Sequence, residues 1–460
     1  MTGERGRGPA EESSGRAPAR EAGDFPYAYT PLARPRYARF RGEGRSVLAC
    51  LWHGAAYLRK YLRKYREAPP QEVAYFRRQR QLLDRLAAEE PAEALPAMAL
   101  VGDLMWTPGG APAAVSPGVL AHLNRHDAVL GNLETVVSPR FRVARRLPDV
   151  PRMNADPALL DSFRRPDGTS TFAALSVANN HVTDYGEAGV RDTLRCLDER
   201  GILHAGVREG EAGPPYVVFP CDGVRIGFHA AAWGVNRPLG RESSLRVSTV
   251  PGLLGEAEVD LGEVEAALAG MAEAGAELRI VSLHWGYEFE VYPDPRLMRV
   301  GREVVRAGAD VVMGAHPHVV QPSEVCFVNG YERRLGGPAP PPGSLLEDGT
   351  GRPRKALLCH SLGGFVTAMF TFLCRTGLVL GFRLRRDPET GAVDWCAPQG
   401  RLVYNAGKEG GEGRWRLMFL DAYLRARRER GPLPRRLEAD LAFLAEHVAA
   451  PDVQGASGRA

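Results

Sequence analysis

Between residues 97 and 382 the chain alternates short apolar runs with amphipathic stretches of helical period. The apolar runs, such as MALV and IVSL, are of strand length and are followed by Gly or polar residues. Two helical stretches, EAGVRDTLRCLDERG and LMRVGREVVRAGAD, end near Gly201 and Gly308, and glycine commonly follows the last turn of a helix. Strands that alternate with helices predict an α/β domain.

The segments outside this region differ in composition. Residues 1–36 are rich in Gly, Pro, Ser, Glu and Arg, which predicts a disordered arm. We expect residues 37–95 to form a basic helical extension, residues 96–386 to form the main domain, and residues 387–460 to form a C-terminal extension. That last segment begins with an irregular Gly-rich stretch, and the runs WRLMFLDAYLRARRER and PRRLEADLAFLAEHVAA predict two helices after it.

One stretch of the basic extension has a clear helical period. Its aromatic and apolar residues recur at three- and four-residue spacing, namely Tyr57, Leu58, Tyr61, Leu62 and Tyr65. The opposite face carries the cations Arg59, Lys60, Arg63, Lys64 and Arg66. The pattern predicts a helix that packs its Tyr/Leu face on the main domain and leaves its basic face in solvent. The alternative is binding to a membrane surface or to RNA.

Overall composition narrows the class of protein. The length of 460 residues suits one large domain with appendages, or two domains. The small net charge of +4 argues against dedicated nucleic-acid binding. Its seven cysteines are scattered without CxxC spacing, which favours reduced thiols in the cytoplasm. The first 20 residues lack the apolar core of a signal peptide, so we expect a cytoplasmic protein with weak or no membrane association.

Five apolar runs are followed directly by polar residues that could bind a metal. The run GAHPHVVQP, for example, places two imidazoles one residue apart. Because ligands of α/β proteins bind outside the carboxyl ends of strands, we expect the five runs to converge on one rim. The residues concerned are Asp103, Asn132, Glu134, Asn180, His181, His284, Glu288, His316 and His318. Their oxygen and nitrogen atoms suit Mn, Zn or Fe.

Each of these residues also has an ordinary structural role. An aspartate such as Asp103 commonly forms a turn after a strand, and a histidine such as His284 can be part of the core. The recurrence of five such runs in one chain favours a common site. Residues 329–354 form a Pro/Gly-rich insertion that we expect beside this rim, as either a lid or a disordered excursion.

These five runs, together with HSLGGFV at residues 360–366, resemble the CapA family of capsule and poly-γ-glutamate synthesis proteins. The resemblance covers residues 97–382 and implies the four-layer α/β/β/α fold of the calcineurin-like metallophosphoesterases. It implies metal ligands at Asp103, Asn180, His284, His316 and His318. It leaves open whether Asn132 or Glu134 supplies the bridging ligand.

Two positions depart from the patterns of these proteins. Met105 stands where metallophosphoesterases at large have a histidine, which removes one imidazole from one of two metals. CapA-like sequences share this lack. Gly364 stands where CapA-like chains usually have an asparagine, which removes a side-chain amide that could bind substrate or brace the rim.

Ligand types and neighbours suggest the chemistry. His181, oriented by Asp184, is the candidate acid that protonates a leaving group, and Glu288 is a candidate base or ligand. GxSxG and P-loop motifs are absent from the sequence. Resemblance and ligand types imply a metal-dependent hydrolase-type enzyme acting on a phosphoester or a γ-glutamyl-type amide, in a small-molecule or polyanionic polymer substrate. The alternative is a non-catalytic accessory protein that binds the polymer, and a separate ATP-dependent ligase is the implied partner.

If the basic helix binds membranes, recruitment of the full chain to anionic vesicles should fall steeply with salt. Each exposed Lys or Arg would contribute on the order of 1 kcal/mol, and salt screens this attraction. We predict weak recruitment in a vesicle co-sedimentation assay, unchanged when residues 1–36 are deleted. Strong, salt-sensitive recruitment would instead assign the helix to a membrane surface.

Overall fold

The computed structural model describes most of the chain after residue 67. The described residues are 55, 58–59, 61–62, 68–88, 96–107, 114–142, 152–210, 213–254, 258–335, 339–341, 343–387, 390–407 and 415–448. The predicted disordered arm, residues 1–36, lies outside them, and so do Tyr57, Tyr65 and most cations of the predicted basic helix.

The described part of that helix packs through a tyrosine. Tyr61 is buried, its ring lies 4.8 Å from the ring of Phe289, and its hydroxyl accepts a hydrogen bond from the backbone N–H of Phe370. In contrast, Leu58 is 54% exposed and Leu62 is 45% exposed. The prediction that these leucines pack together with the tyrosines is therefore wrong.

Nine of the described strands form the first sheet. In chain order they are β1 (Ala97–Leu104), β2 (Ala114–Val115), β3 (Ala128–Leu133), β6 (Ala174–Ser176), β7 (Leu203–Ala205), β17 (Gly364–Val366), β18 (Thr376–Arg386), β19 (Val393–Ala406) and β20 (Arg416–Phe419). Their spatial order is β2-β20-β19-β18-β1-β3-β6-β7, and β17 pairs with the end of β1. Strands β1, β3, β6 and β7 run parallel to one another.

Seven described strands form the second sheet. They are β9 (Tyr216–Cys221), β10 (Val224–Ala232), β12 (Leu278–His284), β13 (Val311–Ala315), β14 (Ser323–Val328), β15 (Leu345–Leu346) and β16 (Arg354–Cys359). Their order is β15-β14-β16-β13-β12-β10-β9, with β10, β12, β13 and β16 parallel. Two short pairs lie outside the sheets: β4 (Val136–Val137) with β5 (Asn154–Ala155), and β8 (Val207–Glu209) with β11 (Leu245–Val247).

Helices cover the sheets and their edges. The described α-helices of at least four residues are α1 (Pro70–Ala87), α2 (Pro117–Leu123), α3 (Ala158–Asp161), α4 (Gly186–Asp198), α5 (Gly262–Glu273), α6 (Pro295–Arg306), α7 (Leu420–Arg428) and α8 (Arg435–His447). Among them, α2 and α6 begin with a proline after a side-chain cap from Ser116 and Asp294, respectively. No helix among the described residues is long and apolar enough to cross a membrane.

The side chains of each central strand enter two different cores. On β1, Met98 and Leu100 belong to the core between the sheets, whereas Ala99 and Val101 belong to a core shared with α2, α3 and α4. The strands of the second sheet also bury one face in the core between the sheets, and they bury the other face in a third core under α5 and α6. Strands that are apolar on both faces lie between two layers. The predicted four-layer α/β/β/α fold is thereby confirmed.

The first sheet extends beyond the predicted domain boundary at residue 386. Strand β19 pairs with β18 from Thr376↔Tyr404 to Arg386↔Val393, and β20 pairs with β19 in turn. The predicted irregular stretch is therefore largely a long strand. The predicted first helix begins only at α7, because residues 416–419 form β20. The sequence pattern did not predict β19, because Pro398, Gln399 and Gly400 interrupt its alternation of apolar and polar residues.

The insertion at residues 329–354 lies at the end of the second sheet opposite to the predicted rim. Strand β14 runs antiparallel to β16, so the insertion joins them where β13 begins, whereas His316 follows the end of β13. Part of the insertion forms β15, an edge strand that pairs with β14. The expectation that it borders the rim is therefore wrong, because β14 carries the chain to the far end first.

Helix α1 seals one side of the core between the sheets. The buried side chain of Gln79 imitates a neighbouring strand along β14: its Oε1 accepts from the N–H of Val325 at 2.8 Å, and its Nε2 donates to the Val325 carbonyl at 3.3 Å. Five further side chains of α1 belong to the same core, as do Leu441 and Leu444 of α8. The helix thus contributes to the main domain and satisfies the part of β14 that β15, paired only at Phe327 and Val328, leaves open.

A buried ionic cluster ties α1 to the second sheet. Glu324 is fully buried, accepts hydrogen bonds from Arg302 at 2.8 Å and from the Tyr75 hydroxyl, and lies 2.9 Å from His360 Nε2. Burial by itself would raise the pKa of Glu324, but Arg302 and His360 lower it to about 2. The cluster therefore contains an ionised carboxylate at neutral pH.

The lowered pKa of Glu324 predicts a loss of stability in acid. The ionised carboxylate stabilises the fold fully above about pH 4.5, and the contribution is lost as the pH falls towards 2. The shift corresponds to roughly 3 kcal/mol. We expect Glu324→Gln to lower the free energy of unfolding at pH 7 by about 3–5 kcal/mol, because Arg302 then stays buried without its counter-charge. Urea unfolding measured from pH 2 to 7 checks both effects.

The matched control is Glu446→Gln. Glu446 pairs with Arg77, but both side chains are largely exposed, so its loss should cost less than about 1 kcal/mol. Equal destabilisation by the two substitutions would contradict the role given to the buried cluster.

Candidate metal centre

The first sheet contributes two carboxylates and an amide at the carboxyl ends of its parallel strands. Asp103 on β1 and Asn132 on β3 are direct partners in the ladder, and Asn132 Nδ2 donates to Asp103 Oδ1 at 2.9 Å. Glu134 follows β3 by one residue. All three side chains are fully buried. The pairing of parallel strands therefore sets the spacing of these groups.

The second sheet contributes three imidazoles at the same kind of strand end. His284 is the last residue of β12, and its ladder partner is Ala315, the last residue of β13. His316 and His318 follow in the next turn with φ of 96° and 56°, a left-handed backbone that non-glycine residues rarely adopt. Such strain persists only where surrounding contacts enforce it, and it is common at functional sites.

The two sets meet between the sheets. His318 Nδ1 lies 3.0 Å from Asp103 Oδ2, and the backbone N–H of His316 donates to the same oxygen at 3.4 Å. His284 Nε2 lies 2.9 Å from Asn180 Oδ1 and 3.5 Å from Glu134 Oε1. The structure therefore brings together all seven residues predicted as metal ligands.

Several buried atoms of this cluster have no hydrogen-bond partner among the described residues. They are both carboxylate oxygens of Glu134, the amide oxygen of Asn132 and Nδ1 of His316. Three overlapping sets place one ligand atom from each member within 4.8 Å of one another: Glu134 with His284 and His316, Asp103 with Glu134 and His318, and Glu288 with His316 and His318. Buried polar atoms are normally satisfied, so these residues fit a divalent cation.

Burial and mutual charge set the protonation of the cluster. Burial, together with the neighbouring Asp103, raises the pKa of Glu134 well above its usual range. Burial and the adjacent histidines lower the pKa of His284, and burial lowers that of His316 to about 4. Burial also opposes protonation of His318, but Glu134 and Asp103 outweigh it and raise the pKa. His284 and His316 are therefore neutral at pH 7, the form in which imidazole binds metals.

His181 belongs to a separate hydrogen-bonded chain beside the cluster. Its Nδ1 lies 2.7 Å from Asp184 Oδ2, an oxygen that also accepts from the backbone N–H of Met153 at 2.6 Å. The other oxygen of Asp184 accepts from Arg237 at 2.8 Å. Asp184 thus contacts His181, Met153 and Arg237, and it fixes the orientation of the His181 imidazole.

Glu288 lies at the edge of the cluster. Its Oε1 is 3.8 Å from His318 Nε2, and its side chain is 18% exposed, compared with 2% for His318. The following residue, Phe289, has φ of 65°, and its ring lies 6.3 Å from that of His318. Glu288 is therefore the predicted site residue best placed to meet both a ligand and solvent.

The two departures from the family patterns have different structural settings. Met105 is buried and contributes only a thioether to this region. At Gly364, an added Cβ would approach the Cys374 carbonyl oxygen to 2.8 Å, so this backbone excludes a larger residue. Asn405, on β19, donates its amide to the carbonyl of Phe365 at 3.1 Å and accepts from the N–H of Thr367. It braces the strand beside Asp103 from within the sheet.

A loop after β10 also reaches the site, and we did not predict it from the sequence. The ring of Trp233 lies 5.9 Å from that of His316, the N–H of Asn236 donates to the Asn180 carbonyl at 2.8 Å, and Arg237 binds Asp184. The signal was present, because AAAWGVNRP is another polar run after an apolar strand. It lacks carboxylates and imidazoles, so a search for metal ligands passes over it.

The residues of this centre lie within a recognised family segment. Residues 97–369 match the family model described as bacterial capsule synthesis protein PGA_cap. The chain belongs to this family. The match contains every predicted site residue of the PGA_cap chain, so the resemblance deduced from its polar runs is confirmed.

Known relatives of this PGA_cap chain include two Bacillus proteins and a mycobacterial one. It is 32% identical over 159 residues to the capsule biosynthesis protein CapA of Bacillus anthracis, which covers 34% of this chain and 36% of that protein. It is 32% identical over 156 residues to the PGA biosynthesis protein CapA of Bacillus subtilis strain 168, covering 34% and 39%. A probable polyglutamine synthesis accessory protein of Mycobacterium tuberculosis H37Rv is 26% identical over 207 residues, covering 43% and 52%. The matched segments thus span at most about half of these relatives.

Solved structures show only distant likeness to the PGA_cap chain. A hypothetical protein from Thermus thermophilus has a TM-score of 0.34 at 16% identity, covering 66% of this chain and 98% of that one. A novel phosphatase from Mycoplasma pneumoniae has a TM-score of 0.35 at 11% identity, covering 67% and 94%. Likeness at this level adds nothing to the geometry described above.

Substitutions at the centre should separate the predicted metal ligands from the predicted proton donor. We expect Asp103→Ala and His316→Ala to abolish binding of at least one ion, because each removes a group from the ligand cluster. His181→Ala should retain metal, because its ring is held by Asp184 outside the three ligand sets. Metal content by mass spectrometry after Mn, Zn or Fe loading, with circular dichroism to verify folding, measures the difference.

His204→Ala is the matched control, since His204 lies on β7 and its partly buried ring is 3.3 Å from the exposed carboxylate of Asp198. Its metal content should equal that of the wild type. Equal metal loss in the His181 and His316 variants would make His181 a ligand as well.

Proposed function

We propose that this chain is a metal-dependent hydrolase-type enzyme that cleaves a phosphoester or a γ-glutamyl-type amide during synthesis of a capsule or poly-γ-glutamate-like polymer. The observation that carries the proposal is a set of buried ligand atoms on Asn132, Glu134 and His316 that have no hydrogen-bond partner among the described residues and lie beside an oriented imidazole. A purely structural core rarely leaves both oxygens of a buried carboxylate without a hydrogen bond.

The metal-holding residues would be Asp103, Asn132, Glu134, Asn180, His284, His316 and His318. A bound divalent ion lowers the pKa of its water and polarises a phosphoryl or acyl oxygen. Mn, Zn and Fe all suit this mixture of oxygen and nitrogen ligands. Met105 adds no imidazole, so the ligand set is poorer in nitrogen than that of a typical metallophosphoesterase.

Proton transfer is assigned to residues at the edge of the centre. Asp184 holds His181 through Nδ1, so Nε2 of the same ring can deliver a proton to a leaving group. Glu288 is partly exposed and lies close to His318, where it can accept a proton from an entering nucleophile or serve as a further ligand. In this assignment the fully buried carboxylates of Asp103 and Glu134 bind the metal and take no part in proton transfer.

A second candidate function is that of a non-catalytic accessory protein that binds the polymer. It is favoured by the mycobacterial relative, which is named a polyglutamine synthesis accessory protein, and by Met105 in place of a ligand. In either role the substrate is a small molecule or a polyanionic polymer. A separate ATP-dependent ligase would supply the energy for polymer formation, because this sequence contains no P-loop.

Turnover assays distinguish the two functions. We expect the metal-loaded full chain to hydrolyse bis(p-nitrophenyl) phosphate or γ-glutamyl-p-nitroanilide, and the substrate that is cleaved identifies the bond type. His181→Ala should lower kcat by roughly 100- to 10,000-fold while retaining metal, as expected for loss of a general acid. His204→Ala should keep the wild-type rate. Full metal uptake without turnover of either substrate would favour the accessory role.

A further inference from the structure

The loop of residues 233–237, which follows β10, contacts three residues of the centre: His284, His316 and Asn180. The N–H of Trp233 donates to the carbonyl of His284 at 3.0 Å, and its indole ring lies 5.9 Å from the ring of His316. The N–H of Asn236 donates to the carbonyl of Asn180 at 2.8 Å. These contacts hold the loop against ligands from both sheets, so its side chains have a fixed position relative to the predicted metal.

The polar side chains of this loop are rich in hydrogen-bond donors. The indole Nε1–H of Trp233 and the amide Nδ2 of Asn236 are buried atoms with no hydrogen-bond partner among the described residues. An indole can only donate, and an Nδ2 amide nitrogen donates two protons. Arg237 adds a cationic guanidinium that is anchored to Asp184 at 2.8 Å. Buried donors of this kind require an acceptor.

The neighbouring residues supply a different kind of chemistry. Asp103, Glu134 and the neutral histidines His284 and His316 present acceptor atoms suited to a cation. The 233–237 loop adds hydrogen-bond donors suited to an anion, and it contacts Asn180, His284 and His316.

We propose that the 233–237 loop is the substrate-recognition element of the proposed enzyme, with Trp233 and Asn236 donating hydrogen bonds to an oxyanion of the substrate and Arg237 supplying positive charge. The inference rests on the proposed function, because the loop is placed relative to the metal-binding residues. The oxyanion is a phosphoryl group or a carboxylate, since both present the same acceptor oxygens.

Two substitutions test the loop without altering the metal-binding residues. Trp233→Phe removes the N–H and keeps an aromatic ring beside His316. Asn236→Asp keeps the shape and replaces the donor with a negative charge. Trp395→Phe is the matched control, because Trp395 also has a buried indole N–H without a partner but packs against Lys355, on strands β19 and β16. Arg237 is left in place, since its loss would also release Asp184.

The measurement is isothermal titration of the Mn-loaded full chain with inorganic phosphate and, separately, with glutarate. We expect at least one of these anions to bind, and the one that binds more tightly identifies the oxyanion. Trp233→Phe and Asn236→Asp should each weaken that binding about tenfold or more, the usual effect of losing a hydrogen bond to a charged group. Trp395→Phe should bind as the wild type, and metal content should be equal in all four proteins.

Each other result has a definite meaning. Equal anion affinity in the wild type and the loop variants overturns the inference and leaves the proposed function standing. Metal uptake without binding of either anion also overturns it. Failure of the wild type to take up metal overturns the proposed function and this inference together. If Asn236→Asp does not fold, Trp233→Phe decides the outcome.

Discussion

The burial of two carboxylates at the junction of the sheets is the constraint on which this site depends. Asp103 and Glu134 are fully buried and close enough for each to influence the other. An ionised carboxylate out of water is costly unless it is paired or hydrogen-bonded. Asn132 and His318 satisfy Asp103, but the oxygens of Glu134 have no hydrogen-bond partner among the described residues. Burial raises the pKa of Glu134, so a bound cation would offset the cost of ionising it and would couple the stability of the junction to metal binding.

The scaffold holds this arrangement because its parallel strands are packed on both faces. Each strand buries one face in the core between the sheets and the other under a helical layer, so a change of register would move every side chain to the wrong core. Helix α1 adds to this rigidity through Gln79 and the buried Glu324 cluster. Rigid strands ending at a common edge are well suited to positioning ligands within a fraction of an ångström.

Contacts around the centre connect it to segments that are remote in sequence. Tyr61, from the basic extension, packs on Phe289, whose ring in turn lies near His318. Asn405, from the C-terminal hairpin, braces the strand that pairs with β1 beside Asp103. The segments before and after the family match therefore take part in shaping the site.

The sequence by itself determined the elements whose information is local. Apolar runs with polar ends predicted the strands and the site residues at their carboxyl ends, because strand periodicity and ligand chemistry are both legible in single segments. Only the tertiary structure decided which end of the sheet receives the 329–354 insertion and that β19 continues the first sheet, since both depend on strand direction and pairing. It likewise revealed Trp233 and Asn236, whose importance arises from proximity to His316 and Asn180 rather than from their residue types. Long-range pairing brings such residues together, and no local pattern encodes that pairing.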